Sequence, residues 1–200
     1  QGKFTINGQP VARYVRRSIE EKIGYVSQEH ILFSKSILEN ISLGKKGASQ
    51  EDIMDAIAQA AFTDDLERMS DGLDTMIGEK GVSISGGQKQ RISLARAFLR
   101  DAQLLLLDDS LSAVDAKTEH LILENLKRER SDKTTMITAH RLSAIVHADL
   151  IIVLQDGRIV EKGTHEELMA LGGWYAKTYD RQQLEATLEE GGSVVEHEDL

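Results

Sequence analysis

The chain has 200 residues, with 33 acidic and 24 basic side chains, a formal net charge of −9, no cysteine and one proline. The absence of cysteine excludes a disulfide scaffold, a thiolate zinc site and a cysteine nucleophile. Residues 185–200 carry six acids and no lysine or arginine, so the rest of the chain is close to neutral. A near-neutral body with no basic stripe argues against a nucleic-acid partner. No apolar run approaches the roughly 18 residues of a membrane span.

The first half of the chain alternates strand and helix patterns, which predicts an α/β fold with a largely parallel sheet. In chain order we expect a strand over 3–7 closed by an Asn-Gly turn, a short buried strand over 23–26, and a helix beginning at Ser49. Glycines then punctuate the loop over 72–87, and a long helix is predicted over 86–100.

The second half continues the alternation. The apolar run over 104–107 ends in two aspartates, which is typical of a central parallel strand buried on both faces. We then expect a helix over 119–130, a strand over 134–138, a hairpin around Asp156-Gly157, and a helix that Thr164 opens with a capping box.

The start of the long helix is the first candidate site. Ser85 is a good N-cap with Gln88 at the capping-box spacing, and Gly86 and Gly87 occupy the first turn. Glycine costs about 1 kcal/mol in a helix relative to alanine, so two together suggest that another group approaches the backbone closely. A helix N-terminus with free amides and a serine hydroxyl is a natural phosphate site.

The carboxyl ends of the predicted strands form the second candidate site. Asp108 and Asp109 end one strand, Gln28 follows another, and His140 follows a third. Ligands of open parallel sheets bind at this edge. One carboxylate there can hold Mg²⁺ while its neighbour orients a nucleophilic water.

Taken in order, these motifs resemble the nucleotide-binding domain of an ABC transporter, and the loop over 77–81 resembles that of the exporters. The matching motifs are the Q-loop glutamine Gln28, the signature at 84–88 with Ile84 in place of the usual leucine, Walker B at 104–108, the D-loop at 112–115, and the switch histidine His140. The match covers roughly residues 2–185.

The resemblance implies a P-loop NTPase fold with a mostly parallel core sheet and an inserted helical subdomain. It divides the chain into a RecA-like ATPase core (1–28 and 96–184), a helical subdomain with the signature (29–95), and an acidic tail (185–200) that we expect to be disordered.

The resemblance also implies a mechanism in which two such domains dimerise head to tail around ATP and power an exporter's transmembrane domains. Asp108 and Gln28 would serve Mg²⁺, and Asp109, Gln28 and His140 would act in catalysis on the chain's own nucleotide. The partner's nucleotide would be bound by the signature and D-loop residues Ser85, Gly86, Gly87, Gln88 and Asp115. The expected location is the cytoplasmic face of the plasma (inner) membrane.

Asp109 departs from the family pattern, which has glutamate as the catalytic base. Aspartate reaches about 1 Å less far, and a misplacement of that size can cost on the order of 100-fold in rate. Within the family, this combination of Asp and an intact signature resembles the weakly hydrolysing subunit of a heterodimeric multidrug or lipid exporter.

The second departure is that the chain contains no P-loop motif G-x-x-x-x-G-K-[ST]. Since residues 2–11 resemble the segment that follows the P-loop helix, we expect truncation, with the N-terminal strands and the P-loop missing. One alternative is a non-enzymatic module that only completes a partner's ATP site. Another is a soluble ABC ATPase, although the chain lacks the coiled-coil insertion or tandem cassette of that class.

Overall fold

The computed structural model describes residues 3–6, 8–78, 81 and 83–192, with only the backbone over 189–192. The chain divides into two compact units, Gln1–Thr138 and Ala139–Leu200. The expected turn at Asn7 and part of the loop over 77–81 lie outside the described residues. No helix of the described part is long and apolar enough to cross a membrane.

The first unit is built around a parallel sheet, as the alternation of elements predicted. The strands β3 (Ile23–Val26), β4 (Leu104–Asp108) and β5 (Thr134–Thr138) pair in the order β3-β4-β5. Asp108 is paired with Thr138 in the register of β4 and β5. A short antiparallel hairpin, β1 (Thr5–Ile6) and β2 (Gln9–Pro10), precedes this sheet along the chain.

Besides two 3₁₀ helices, Val11–Arg13 and Gly72–Asp74, six α-helices complete the described part of the first unit. They are α1 (Arg16–Glu20), α2 (Ile37–Ser42), α3 (Gln50–Gln59), α4 (Thr63–Glu67), α5 (Gly86–Arg100) and α6 (Ala116–Glu129). The predicted long helix has the bounds of α5, and Ser49 caps α3 as predicted. The helix expected over 119–130 begins earlier, because Asp115 accepts a hydrogen bond from the Thr118 amide and caps it.

The core of the first unit forms where α5 contacts α2, α3 and β3. Ile92 and Leu94 of α5 are fully buried, as are Leu105 of β4 and Ile57 of α3. Gly44 allows a close approach of the chain to α5, since a Cβ there would stand 2.2 Å from the carbonyl oxygen of Arg96.

The second unit, as far as Gly192, consists of a 3₁₀ helix (Leu142–Ile145), a hairpin and two α-helices. The hairpin and the α-helices are β6 (Ile151–Gln155), β7 (Arg158–Gly163), α7 (His165–Leu171) and α8 (Trp174–Gly192). The predicted Asp156-Gly157 turn is present, with positive φ at both residues, as a type I′ turn requires. Thr164 and Glu167 form the predicted capping box. Tyr175 is fully buried, which raises its pKa, and its hydroxyl bonds with Nδ1 of His165.

The acidic tail differs from the expectation of disorder at its start. Helix α8 continues to Gly192, so residues 185–192 are helical, while residues 193–200 lie outside the described part. The segment over 184–190 is rich in leucine, alanine and glutamate, which are strong helix formers, and the first glycines come only at 191 and 192.

Candidate functional site

Asp108 ends β4, and both of its carboxylate oxygens accept hydrogen bonds. The hydroxyl of Thr138 donates to Oδ1 at 2.7 Å, and the hydroxyl of Tyr25 donates to Oδ2 at 3.2 Å. Partial desolvation and the adjacent Asp108 carboxylate raise the pKa of Tyr25, so its hydroxyl is protonated at neutral pH. The carboxylate of Asp108 is therefore oriented from both neighbouring strands.

Asp109 follows directly and has a left-handed backbone with φ of 46°. Its amide donates to both the carbonyl oxygen and the hydroxyl oxygen of Thr138, each at 3.1 Å. Nε2 of Gln28 donates to Oδ2 of Asp109 at 3.3 Å. Gln28, Asp108 and Asp109 thus meet at one edge of the sheet, as the strand ends predicted.

His30 lies close enough to Asp109 to interact electrostatically with its carboxylate. Burial lowers its pKa, and the Asp109 carboxylate opposes that shift. Its ring atom Nδ1 is buried without a hydrogen-bond partner. The sequence contained no metal-ligand spacing around His30, and only its position two residues after Gln28 could have indicated this location.

The signature residues lie at the N-terminus of α5. The Ser85 hydroxyl accepts from the Gln88 amide, and Oε1 of Gln88 accepts from the Ser85 amide, which forms the predicted capping box. Ser85 and Gly86 are exposed. A Cβ on Gly86 would make only ordinary contact with Ala113 at 3.9 Å, whereas one on Gly87 would stand 3.0 Å from the Ala113 carbonyl oxygen. A side chain at position 87 would therefore crowd the Ala113 carbonyl, while the backbone at Gly86 is accessible.

The D-loop contacts both α5 and the aspartate pair. Oε1 of the fully buried Gln90 accepts from the Ala113 amide at 3.0 Å. The hydroxyl of Ser112, which precedes Ala113, donates to the carbonyl oxygen of Asp109 at 2.9 Å. Hydrogen bonds to Thr118 lower the pKa of Asp115, which caps α6.

A partly buried ion pair fixes α5 to the start of α4. The guanidinium of Arg91 lies 2.7 Å from a carboxylate oxygen of Asp65, and the other oxygen accepts from Nε2 of Gln88. Arg91 also donates to the carbonyl oxygens of Gly87 and Ala61. The sequence pattern did not reveal Asp65, because its partners lie more than twenty residues away.

His140 belongs to the second unit, where it is exposed. Its carbonyl oxygen accepts from Nε2 of Gln182 on α8, and Oε1 of Gln182 accepts from the amide of Leu142. The side chain of Gln182 therefore stabilises the turn that follows His140.

The edge of the sheet where Gln28, Asp108 and Asp109 meet, here called the aspartate edge, has the chemistry of a magnesium site. The carboxylates of Asp108 and Asp109 and the side-chain amide of Gln28 supply oxygen donors, which Mg²⁺ prefers. Among the described residues, no group of three or more His, Cys, Asp or Glu side chains could hold a metal ion. The donor set thus fits an ion bound through one or two carboxylates together with phosphate and water.

The ABC transporter family profile matches residues 1–112. The chain is 52% identical over 193 residues to the probable multidrug resistance ABC transporter ATP-binding/permease protein YheI of Bacillus subtilis (strain 168), covering 96% of this chain and 33% of that protein. It is 46% identical over 184 residues to the ATP-dependent lipid A-core flippase of Legionella pneumophila (strain Paris), covering 92% of this chain and 31% of the flippase.

A solved structure of a bacterial Atm1-family ABC exporter with ATP bound is similar in fold. Its TM-score is 0.87 at 39% identity, covering 92% of this chain and 32% of that one. The chain belongs to the ABC transporter family and has the α/β fold of its ATP-binding domain. It spans about a third of the length of these relatives.

Proposed function

We propose that the chain is the ATP-binding and ATP-hydrolysing domain of an exporter of the multidrug or lipid-flippase type. The observation that carries this proposal is the meeting of Gln28, Asp108 and Asp109 at the carboxyl edge of the parallel sheet. A polar edge of this kind is where an α/β domain binds a nucleotide and its metal ion.

The residues of this edge have distinct roles on the chain's own nucleotide. Bound Mg²⁺ would neutralise charge on the phosphates, and Asp108 would hold it through its carboxylate. Asp109 accepts a proton from the attacking water, and Gln28, already hydrogen-bonded to Asp109, positions that water. The resemblance of its motif implies that His140, a residue of the second unit, contacts the γ-phosphate.

The signature serves a second nucleotide, held by a partner domain in a head-to-tail dimer. Exposed Ser85 presents its hydroxyl and exposed Gly86 its backbone amide at a helix N-terminus, which suits a γ-phosphate. Gln88 holds that turn, Gly87 keeps it packed on Ala113, and Asp115 lies on the same D-loop.

Transmembrane domains are the second partner, which places the chain at the cytoplasmic face of the plasma (inner) membrane. The segment that follows Gln28 exposes Ile31 and Phe33 beside a groove of about 380 Å³ that Arg96 also lines. Arg96 donates to the carbonyl oxygen of Ile31 and lies over the Phe33 ring. This apolar rim suits a helix from a membrane domain.

Aspartate at position 109 supports the further proposal that the exporter is a heterodimer. With the shorter base, the chain's own site hydrolyses slowly, while its intact signature completes the competent site of a different subunit. The dimer is then a heterodimer of an exporter.

The 200 residues of this chain contain no P-loop motif. Without that cradle and its lysine, most of the binding energy for the triphosphate is missing. We expect the isolated chain to bind Mg-ATP very weakly and not to hydrolyse it. Isothermal titration tests this, and micromolar affinity would contradict it.

The proposed function is tested with the complete gene product in lipid vesicles. Wild-type protein, assembled with its partner subunit, is expected to hydrolyse ATP only in the presence of Mg²⁺. Asp108→Asn is expected to lose most of the hydrolysis at the chain's own site, measured by single-turnover hydrolysis resolved for each ATP site. Asp132→Asn, an exposed aspartate away from the site, is the control. Equal activity in wild type and Asp108→Asn would refute the proposed role of this edge.

A further inference from the structure

We propose that Thr138 is a positioning residue that sets the side chain of Asp108 and the backbone of Asp109 at the same time. This inference rests on the proposed function, because its consequence is for Mg²⁺ and nucleotide chemistry at that edge. The hydrogen bonds on which the inference is based are present within the chain whether or not it binds nucleotide.

The hydroxyl of Thr138 makes two hydrogen bonds, and their directions are determined. Asp109 N–H is a donor, so Oγ1 accepts there, at 3.1 Å. The single hydroxyl proton is then directed to Oδ1 of Asp108, at 2.7 Å. The only donor of the hydroxyl is engaged with Asp108, and one of its two acceptor lone pairs is engaged with Asp109.

The sheet makes this arrangement possible. Thr138 is paired with Asp108 in the parallel register of β5 and β4, so the two side chains lie on the same face. Threonine is β-branched and stiff at χ1, so the hydroxyl is held in place at little entropic cost. Valine in the same position would keep the shape and lose both hydrogen bonds.

The carboxylate of Asp108 is thereby left with one defined orientation. Oδ1 is fixed by Thr138 and Oδ2 by Tyr25, yet each carboxylate oxygen has a further lone pair for a metal ion or water. Hydrogen bonds to a metal-binding carboxylate orient it, and their loss commonly costs 10–100-fold in metal affinity or activity, by order of magnitude.

The backbone of Asp109 needs support of a different kind. Its φ of 46° lies in the left-handed region, which an L residue adopts at some cost in free energy. The Asp109 amide bonds both the carbonyl and the hydroxyl oxygen of Thr138, which stabilises that conformation. Loss of the hydroxyl would leave only the carbonyl to hold the residue that carries the proposed base.

The test uses Thr138→Val and Thr138→Ala, which remove the hydroxyl, and Thr138→Ser, which retains it. Thr134→Val is the matched control, because Thr134 lies on the same strand and the same face, four residues earlier. Three quantities are measured on the complete gene product: the Mg-ATPase rate, the affinity for Mn²⁺ in the presence of a non-hydrolysable ATP analogue, and deuterium exchange in a peptide over 108–112 without nucleotide.

We expect Thr138→Val and Thr138→Ala to weaken Mn²⁺ binding and to slow hydrolysis at the chain's own site by about 10–100-fold. We also expect both variants to exchange faster over 108–112, while Thr138→Ser and Thr134→Val stay near wild type. The inference is overturned if Thr138→Val matches wild type in Mn²⁺ affinity and exchange, or if Thr138→Ser is impaired as much as Thr138→Val.

A different experimental result would show that the proposed function is wrong. A wild-type protein that neither hydrolyses ATP nor binds Mn²⁺ with nucleotide would refute that function. The exchange measurement would still decide whether Thr138 holds the Asp109 backbone.

Discussion

Asp109 combines a short side chain with a left-handed backbone. Asparagine and aspartate are enriched several-fold among non-glycine residues with positive φ, because their short polar side chains tolerate that region. Glutamate would reach the attacking water more easily but has no such tolerance. The conformation at this position therefore favours aspartate locally, while the chemistry proposed for it favours glutamate.

Asp109→Glu in the complete gene product tests that balance. If the chain's own site is slow because the base is short, the variant gains hydrolysis at that site, by on the order of 10–100-fold for a reach of about 1 Å. Single-turnover hydrolysis resolved for each ATP site is the measurement, and Asp109→Asn, which cannot accept the proton, is the control. No gain in Asp109→Glu would remove the argument for a heterodimer.

Gly86 and Gly87 provide a matched pair for the role of packing in the signature. A Cβ on Gly87 would press on the Ala113 carbonyl oxygen at 3.0 Å, whereas a Cβ on Gly86 would make ordinary contact at 3.9 Å. We expect Gly86→Ala to keep or slightly raise the free energy of unfolding of the chain, and Gly87→Ala to lower it by about 1 kcal/mol. Urea denaturation measures both, and equal values would contradict the proposed need for glycine at 87.

At the scale of the element, the ion pair between Arg91 and Asp65 should contribute to the stability of α5. Both side chains are only 16% exposed, so Asp65→Ala leaves a largely buried guanidinium without its carboxylate. We expect a loss of about 2 kcal/mol in the free energy of unfolding, below the 3–5 kcal/mol typical of fully buried pairs.

The exposed pair of Arg16 and Glu20 is the control for that experiment. Its side chains are 92% and 57% exposed, so Glu20→Ala should change stability by less than about 0.5 kcal/mol. Similar losses for Asp65→Ala and Glu20→Ala would show that the Arg91 pair is no stronger than a surface pair.

The N-cap of α6 should make part of the chain's stability depend on pH. Hydrogen bonds from Thr118 lower the pKa of Asp115 below its ordinary value of 3.8. A lowered folded-state pKa stabilises the fold above the unfolded pKa, and that stability is lost as pH falls through the folded pKa. Asp115→Asn keeps a capping oxygen but cannot titrate. We expect the stability difference between wild type and Asp115→Asn to shrink from pH 7 to pH 3, and a constant difference in urea denaturation would contradict this.

Much of this architecture was predictable from local signals. The bounds of α5, the strands around Ile23 and Leu104, and the caps at Ser49, Ser85 and Thr164 all follow from periodicity or capping. Helix α2 was missed although Ser36 and Glu39 form a capping box, because the helix that follows has only six residues. Short helices depend on tertiary packing, which a local pattern does not contain.

The sequence predicted which residues form the strand-end site, but it did not predict all of the residues that they contact. Strand ends brought Gln28, Asp108 and Asp109 together as expected. Thr138 and Tyr25 were not anticipated, since threonine and tyrosine are ordinary strand residues. Their role depends on the parallel register between β3, β4 and β5, and that pairing is a non-local property of the fold.

At the scale of the whole molecule, the first unit contains both the aspartate edge and the signature helix. The D-loop contacts each of them, through Gln90 of α5 and through the carbonyl oxygen of Asp109. In the proposed dimer the aspartate edge serves the chain's own nucleotide and the signature serves the partner's. The proposed head-to-tail dimer therefore depends on whether the N-terminus of α5 binds nucleotide or is only a well-capped helix.

Ser85 and Ser49 separate these two possibilities, because both are N-cap residues with complete capping boxes. Ser85→Arg and Ser49→Arg should each lose about 1 kcal/mol of capping, but only Ser85 faces the proposed nucleotide. The decisive measurement is the Mg-ATPase rate of the complete gene product carrying each substitution. We expect Ser85→Arg to abolish most hydrolysis and Ser49→Arg to remain near wild type. Equal rates in the two variants would contradict the proposed dimer.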